Sequence, residues 1–258
     1  MQLTFYKYQG TGNDFVMIDN RDNSFPKDDT KLVAFLCDRK FGIGADGLIL
    51  LENDVTVDFK MVYYNSDGNE STMCGNGGRC LVAFANYLEV FKTETTFVAV
   101  DGLHYATIEN GIVSLQMQDV LEIREKSNYS FLDTGSPHHV QIVEELEKFD
   151  VAKEGEKLRY GLYGKEGSNI NFVEQSSSDV FSVRTYERGV EGETLSCGTG
   201  VTAVAIAMHK AKKTLHNKID INVLGGALKV KFDTNSKGYK NVFLIGAARS
   251  VFKGEITC

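Results

Sequence analysis

The sequence contains few of the features that mark a membrane, secreted or nucleic-acid-binding protein. It has no run of about 18 apolar residues, so we expect no membrane-spanning helix. The N-terminal segment MQLTFYKYQG lacks the apolar stretch and cleavage site of a signal peptide, which predicts a cytoplasmic protein. The formal net charge of −7 and the pI near 5.3 argue against nucleic acid as a partner, because phosphate binding requires a basic face.

Proline and cysteine are also scarce. With two prolines in the chain, the 25 glycines must make most turns together with Asn and Asp. Five cysteines, with no C-x-x-C pair, do not match a secreted disulfide framework and weaken the hypothesis of a thiol-disulfide protein. Cys74 and Cys80 have no nearby histidine at zinc-ligand spacing, so we predict no metal site.

Short β-like runs recur along the whole chain, whereas helix-like segments are few. Because the two kinds do not alternate regularly, the pattern predicts an α+β fold and not a doubly wound sheet. The helix-like segments are 30–39, 78–88 and 200–211. The clearest β-like runs are 48–51, 55–64, 97–100, 112–117, 169–173, 180–186 and 241–245.

The chain also contains an internal repeat at an offset of 123 residues, which is 197 minus 74. In both copies a Cys-Gly-x-Gly sequence precedes an apolar, helix-like run. The repeat predicts two pseudo-symmetric domains, 1–118 and 119–249, with residues 250–258 returning to the first. The matching pairs are Tyr63 and Tyr186, Glu70 and Glu193, Cys74 and Cys197, Gly75 and Gly198, and Gly77 and Gly200.

The repeated cysteines lie where a strand meets a helix, in MCGNGGRC (73–80) and SCGTG (196–200). The N-terminus of a helix presents unpaired N–H groups and the positive end of the dipole. A thiol at that place has a lowered pKa, and the same N–H groups can hold a carboxylate. By contrast, Cys37, Cys80 and Cys258 are interpreted as packing residues, the usual role of a cysteine outside a disulfide.

Two thiols and two helix N-termini suit inversion at a carbon beside a carboxylate. One group removes the α-proton from one face and the other returns a proton to the opposite face. No pyridoxal-phosphate lysine setting and no dinucleotide glycine fingerprint is evident, so we predict no cofactor. The residues by themselves indicate a two-thiol epimerase or isomerase that acts beside a carboxylate.

Seven strings of the chain resemble those of diaminopimelate epimerases, in the same order and over nearly the whole length. The pair MCGNG and ERGxxGETxxCGTG distinguishes that family from proline racemase-like relatives. The strings are KYQGTGNDFVMIDNR (7–21), FGIGADGLILL (41–51), YNSDGNESTMCGNGGRC (64–80), GSPHHV (135–140), GSNINFV (167–173), YERGVEGETLSCGTG (186–200) and FKGEI (252–256).

The resemblance implies a role for each matching residue. Cys74 and Cys197 are expected to be the acid/base pair, assisted by His138 and Glu187, the latter also a substrate-binding residue. Arg188 is expected to clamp the distal carboxylate of the substrate, a task that suits a guanidinium. The α-carboxylate and amine are assigned to Gly75, Asn76, Gly198 and Thr199, and the distal amino-acid end to Asn13, Asn65 and Asn169.

The resemblance also implies two domains that each wrap mixed strands around a central helix, and a homodimer that converts L,L-diaminopimelate to the meso form in lysine biosynthesis. The chain departs from the family at Ser136, where Asn is frequent, and at Gly47, where some members carry an amide. His139 beside His138 is a second candidate for the histidine.

Three alternatives remain open from the sequence. A proline or hydroxyproline racemase would share the two cysteines but would leave Arg188 and the three asparagines without a purpose. A binding module that has lost its activity is disfavoured because both cysteines are present. A thiol-disulfide protein is the third.

Overall fold

The computed structural model describes all 258 residues, with 17 strands and four α-helices. The helices are α1 (Thr30–Cys37), α2 (Gly75–Tyr87), α3 (Val151–Gly161) and α4 (Gly198–Lys210). The strands are β1 (Gln2–Gly10), β2 (Asn13–Asp19), β3 (Gly47–Glu52), β4 (Phe59–Asn65), β5 (Glu94–Ala99), β6 (Gly102–Glu109), β7 (Ile112–Gln116), β8 (Ile123–Glu125), β9 (Ser130–Asp133), β10 (Pro137–Ile142), β11 (Asn169–Gln175), β12 (Val180–Glu187), β13 (Gly192–Thr194), β14 (Lys218–Val223), β15 (Gly226–Asn235), β16 (Gly238–Ala247) and β17 (Arg249–Thr257). No helix combines the length and apolar character needed to cross a membrane.

The chain divides into two compact units. Unit 1 consists of Met1–Leu115 together with Ala247–Cys258, and unit 2 consists of Gln116–Gly246. The last strand of the chain belongs to unit 1, since β17 pairs with β1 over nearly the whole length of both strands. Each unit has its own buried apolar cluster, one around Leu48 and Leu50 in unit 1 and one around Ile170 and Phe172 in unit 2.

The strands of unit 1 lie side by side in the order β17, β1, β2, β3, β4, β5, β6, β7. The pairs β2–β3 and β4–β5 are parallel, and the remaining pairs are antiparallel. A parallel pair needs a crossover between its strands. Helix α1 provides the first crossover and helix α2 the second.

Unit 2 repeats this arrangement. Its strands follow the order β8, β9, β10, β11, β12, β14, β15, β16, with β13 as an additional partner of β12. The parallel pairs β10–β11 and β12–β14 correspond to those of unit 1, and α3 and α4 make the crossovers. The expected α+β fold of two pseudo-symmetric units is therefore confirmed.

Helices α2 and α4 form the centre of their units. Each has thirteen residues, of which ten are buried, and each packs against several strands of its own unit. A helix that is buried on nearly all sides must be apolar or small on nearly all sides, as these two are. In α2 a side chain at Gly77 would approach Ile49 to 3.0 Å and one at Gly78 would approach Leu115 to 2.9 Å.

The structure corrects several predicted boundaries. Helices α2 and α4 begin at Gly75 and Gly198, slightly before the predicted starts, because they begin directly after the cysteines. The β-like run 55–64 starts as a turn, in which the Asp54 carboxylate accepts hydrogen bonds from the backbone N–H groups of Thr56 and Val57. Strand β4 therefore begins only at Phe59.

Helix α3 was not predicted, because its sequence VAKEGEKLRYG has few apolar residues and a central glycine. The structure explains Gly155 by packing. A Cβ at that position would lie 2.4 Å from the Cβ of Tyr186, so a larger residue would push the helix off the sheet of unit 2.

Candidate active site

In unit 1, Cys74 is the N-cap residue of α2, with extended backbone angles. Its Sγ lies 3.6 Å from Oδ1 of Asn13, and Nδ2 of Asn76 donates to the same Oδ1 at 3.3 Å. Nδ2 of Asn13 in turn donates to the Asp46 carboxylate at 2.6 Å. Unit 1 thus brings Asn13, Asn76 and Cys74 together at the first turn of its central helix.

A cluster of charged residues supports Asn13. Asp14 binds Lys7 and Arg39, each at 2.7 Å, and Arg39 also binds Asp46 at 2.7 Å. Burial by itself raises the pKa of Asp14, but hydrogen bonds and charge attraction from Arg39 and Lys7 outweigh it and lower this pKa to about 2. The cluster fixes Asp46, the residue that orients the Asn13 amide.

Asn65 lies at the end of β4, where it is exposed and pairs with Gly47 of β3. Its backbone N–H donates to the carbonyl of Asn69 at 3.0 Å. A Cβ at Gly47 would lie 2.6 Å from both the Tyr63 ring and the Tyr64 carbonyl oxygen. The chain therefore has no room for the side-chain amide that some relatives carry at this position.

In unit 2, Cys197 is the N-cap residue of α4 and is 7% exposed. Its Sγ lies 3.4 Å from Oγ1 of Thr199, and the Thr199 carbonyl accepts a hydrogen bond from Thr134 at 2.8 Å. Gly200 allows close packing behind the thiol, because a Cβ there would lie 2.5 Å from Oδ1 of Asn171. Thr134 and Asn171 were not predicted as site residues, although Asn171 lies within the string 167–173 and Thr134 directly precedes the string 135–140.

Two adjacent histidines on β10 have different surroundings. His138 is fully buried, and its Nδ1 lies 3.2 Å from Nδ2 of Asn171, an amide donor that leaves the ring proton on Nε2. Burial, with a smaller contribution from the Arg188 charge, lowers the pKa of His138 to about 3. His138 is therefore a neutral hydrogen-bond donor at neutral pH and not an imidazolium acid.

His139 is bound on both ring nitrogens. Nδ1 lies 2.8 Å from the Tyr163 hydroxyl and Nε2 lies 3.2 Å from Oε1 of Gln141. Burial lowers the pKa of His139 to about 4. With both nitrogens occupied by protein groups, His139 is a structural residue, and His138 is the better candidate for the site.

The two histidines make the protein sensitive to acid. In the unfolded chain both histidines bind a proton with a pKa near 6.5. In the folded chain the pKa is about 4 at His139 and about 3 at His138, so the folded protein binds these protons only at lower pH. The free energy of unfolding should therefore fall as the pH is lowered through this window. The variant His139→Gln should reduce that slope by up to about 1.4 kcal/mol per pH unit.

Urea unfolding at several pH values tests this expectation. The exposed His216 offers a matched control, since His216→Gln should keep the wild-type slope. If the slope of His139→Gln between pH 6.5 and about 4 equalled that of the wild type, the pKa of His139 would be the same in the folded and the unfolded protein, contrary to the expectation.

Unit 2 also joins the two of its residues assigned to the distal end of the substrate, Asn169 and Arg188, and places Ser136 beside both. Oδ1 of Asn169 accepts from the Arg188 backbone N–H at 2.9 Å, and its Nδ2 donates to Oγ of Ser136 at 2.9 Å. The Arg188 guanidinium is exposed, donates to the Glu166 carbonyl at 3.0 Å, and forms no ion pair with an acidic side chain. Its charge remains available for an external carboxylate. Ser136, the departure from the family pattern, lies 3.4 Å from Nη2 of Arg188.

Glu187 lies at the end of β12, one residue before Arg188. Its carboxylate accepts a hydrogen bond from Oγ1 of Thr194 at 2.9 Å. Each unit therefore carries a thiol at the N-terminus of its central helix, with polar side chains arranged around the first turn. No group of histidine, cysteine and acidic side chains has the arrangement of a metal site.

Sequence comparisons agree with the geometry. A family model described as "Diaminopimelate epimerase" matches residues 5–117 and 130–251. A diaminopimelate epimerase of Flavobacterium psychrophilum is 64% identical over 256 residues, covering 98% of this chain and 100% of that protein. The enzyme of the same name from Aquifex aeolicus is 41% identical over 278 residues, with 99% and 98% coverage.

Solved structures of distant sequences have the same fold. A phenazine biosynthesis protein of the PhzF family from Bacillus anthracis is 13% identical, with a TM-score of 0.80 and full coverage of both chains. A hydroxyproline epimerase from Agrobacterium vitis is also 13% identical, with a TM-score of 0.71 and coverage of 99% of this chain and 92% of that one. At such identities the likeness concerns the fold alone, whereas the family model and the full-length relatives are specific: this chain belongs to the diaminopimelate epimerase family, a family of isomerases.

Proposed function

We propose that the protein converts L,L-diaminopimelate to meso-diaminopimelate by inverting one α-carbon, without a cofactor. The observation that carries this proposal is the matched pair of cysteines, Cys74 and Cys197, each at the N-cap of the central helix of its unit, in a chain of this family. The proposal requires both thiols to reach opposite faces of the same α-carbon.

The reaction needs one thiolate and one thiol. The thiolate forms an S–H bond with the α-proton, and the C–H electron pair stays on the carbon and spreads into the carboxylate. The second thiol then donates its proton to the opposite face of the carbon, so the configuration inverts and the two sulfur atoms exchange protonation states. Every proton and electron pair is accounted for by the two cysteines and the substrate.

The charge that develops on the substrate is matched by the helix N-termini. Backbone N–H groups of the first turns of α2 and α4, at Gly75 and Asn76 and at Gly198 and Thr199, are proposed to hold the α-carboxylate. The amine is a hydrogen-bond donor and is proposed to bind oxygen atoms of the same four residues. Helix N-termini favour negative charge, and N–H groups already fixed by the helix need no reorganisation when charge develops. No acidic residue lies in the first turn of either helix, so nothing there competes with a bound anion.

His138 and Glu187 are proposed to assist the cysteines in different ways. The depressed pKa of His138 supports a role as a neutral donor, which can hydrogen-bond a thiolate without exchanging charge with it. Glu187 accepts from Thr194 and is an acceptor that can orient the proton of a thiol. A neutral donor such as His138 stabilises a thiolate, and an acceptor such as Glu187 stabilises a thiol.

Arg188 is the proposed clamp for the distal carboxylate, with Asn13, Asn65 and Asn169 around the distal amino-acid group. The exposed guanidinium without an acidic partner supports this role, since a guanidinium binds a carboxylate through two parallel hydrogen bonds. Asn169 acts through the Arg188 backbone, which it holds. A proline-like substrate has no second amino-acid group, so this cluster favours diaminopimelate over the racemase alternative.

The decisive experiment incubates the reduced protein with L,L-diaminopimelate in deuterated water without added cofactor. We expect the meso isomer to form with deuterium at one α-carbon, as two-base inversion with solvent exchange requires. Parallel reactions with proline and hydroxyproline are the control for the racemase alternative. Folded protein that neither inverts nor exchanges diaminopimelate would refute the proposed substrate. The homodimer implied by the family resemblance and the cytoplasmic location predicted from the N-terminal segment are part of the same proposal.

A further inference from the structure

Helix α2 buries an arginine that the proposed reaction does not use. The side chain of Arg79 is fully buried, although a buried cation is costly when no anion pairs with it. Burial is the largest influence on Arg79 and lowers its pKa. Arginine nevertheless keeps its proton inside proteins, so a positive charge lies in the interior of unit 1.

The hydrogen bonds of this guanidinium go to neutral oxygen atoms. Nη2 donates to Oδ1 of Asn76 at 3.0 Å and to Oγ1 of Thr11 at 3.2 Å, and Nη1 lies 3.5 Å from the Gly75 carbonyl oxygen. The buried Nε has no partner. Gly10 permits this position, because a Cβ there would lie 3.2 Å from Nη2. The cation therefore lies directly beside the first turn of α2.

Arg79 also determines how Asn76 faces the thiol. Because Oδ1 of Asn76 accepts from the guanidinium, its Nδ2 points away and donates to Asn13 at 3.3 Å. The same Oδ1 of Asn13 is the neighbour of the Cys74 Sγ at 3.6 Å. A chain of polar contacts thus joins Arg79, Asn76, Asn13 and Cys74.

The other charged residues around α2 are paired or exposed. Tyr8 and Cys80 have pKa values raised to about 12 by burial, so both are neutral at neutral pH. Charged residues on or beside the strands that pack against α2 form these ion pairs: Lys7 and Arg39 with Asp14 and Asp46, Asp19 with Arg21, Lys27 and Lys60 with Glu52, and His104 with Asp101. The remaining charged residues of these strands, Glu109, Arg249, Lys253 and Glu255, are exposed to solvent. Arg79 is the buried charge that remains without an anion.

The repeat has no such charge in unit 2. At the offset of 123 residues, Arg79 corresponds to Thr202 of α4, which is also fully buried. Oγ1 of Thr202 donates to the Gly198 carbonyl at 3.0 Å, the counterpart of the contact between Arg79 and the Gly75 carbonyl. The two central helices therefore match in length and in their N-cap cysteine but differ by one buried positive charge.

We propose that Arg79 is a positioning residue whose buried charge makes Cys74, and not Cys197, the thiolate of the pair in the resting protein. A cation near a thiol stabilises the thiolate form of that thiol. In a buried site, solvent cannot replace this stabilisation when the cation is removed. The inference rests on the proposed two-thiol reaction and deepens it. It makes Cys74 the base that is already ionised when substrate binds, ready for the isomer whose α-proton faces that sulfur.

The test measures each thiol separately. The native protein is treated with iodoacetamide across neutral and alkaline pH, and the alkylation rates of Cys74 and Cys197 are followed by peptide-resolved mass spectrometry. The shape of each rate profile gives an apparent pKa that does not depend on how accessible the sulfur is. In the wild type we expect the profile of Cys74 to lie below that of Cys197 by about one pH unit or more. Equal profiles, or the reverse order, would overturn the proposal without any variant.

Three variants locate the effect. Arg79→Met should move the Cys74 profile up by about one pH unit or more and leave that of Cys197 in place, whereas Arg79→Lys, which keeps the charge, should restore most of the difference. Thr202→Val, at the equivalent position of α4, should change neither profile. The assignment would be contradicted if the Cys74 profile did not shift in Arg79→Met, or if the profiles of both thiols shifted equally. Cys197 is the internal control, because a general loss of structure would shift its profile too.

This result is separate from turnover. The ordering of the two thiols is measured without substrate, so it stands or falls whether or not diaminopimelate is inverted. Failure of the deuterium experiment with an intact difference between the thiols would reject the substrate and keep the role of Arg79. Inversion of diaminopimelate together with equal profiles of the two thiols would support the substrate and reject the role of Arg79.

Discussion

Replacement of Cys74 or Cys197 by alanine is expected to lower the rate of inversion of diaminopimelate by about 1,000-fold or more. General acid or base catalysis by one positioned side chain contributes about 10²- to 10⁴-fold, and inversion needs both groups. Each cysteine is the N-cap residue of its helix, and neither helix has an acidic residue in its first turn that could replace the thiol. The variant that keeps the cysteine facing the α-proton of the supplied isomer can still remove that proton, so in this variant exchange with retention should survive better than inversion.

The measurement follows inversion and deuterium incorporation in the same samples. Cys37→Ala and Cys258→Ala are matched controls, since burial raises the pKa of Cys37 to about 12 and Cys258 is exposed at the end of the chain. Both controls should invert the substrate at the wild-type rate. The double variant Cys74→Ala, Cys197→Ala should lose exchange as well as inversion, and turnover in that protein would refute the two-thiol mechanism.

Arg188→Ala is expected to lower kcat/KM for diaminopimelate by about 100-fold. Hydrogen bonds to charged groups contribute about 1.5–3 kcal/mol, and the exposed guanidinium has no acidic partner that would compensate for its loss. Arg188→Lys should recover a part of the loss, because an ammonium keeps the charge but not the paired donors.

Steady-state kinetics of Arg188→Ala, Arg188→Lys and Arg124→Ala test this expectation. Arg124 lies exposed on β8 in the same unit and pairs with Glu122, so its removal changes the net charge equally and should leave kcat/KM unchanged. Wild-type kcat/KM in Arg188→Ala would remove the main support for a substrate with a distal carboxylate.

The positions of the two cysteines at helix starts were predictable because they depend on local sequence. A cysteine followed by Gly-x-Gly and an apolar run predicts a thiol at a helix start, and the repeat at an offset of 123 residues indicates that the arrangement occurs twice. The structure has both cysteines at N-caps. The pattern of strands likewise predicted the α+β fold, since alternation of apolar and polar residues is a property of short segments.

Helix α3 shows where local pattern fails. Its central Gly155 lowers the helix propensity, yet contact with Tyr186 demands a residue without a side chain. The choice of His138 over His139 rested in the sequence on position in the motif alone. Alternation on β10 sends their side chains to opposite faces, and the partners they meet there come from distant parts of the chain.

The sequence by itself determined the helix-start positions of Cys74 and Cys197, their duplication and the kind of fold, because helix starts, strand patterns and repeats are encoded over a few neighbouring residues. The tertiary structure alone decided the environment of those groups: the neutral state of His138, the exposed guanidinium of Arg188 and the unpaired charge of Arg79. Burial and electrostatic interaction depend on distances between residues that are far apart in the chain. A single side chain, such as Arg79 in place of Thr202, can therefore give the two halves of a repeat different electrostatic surroundings.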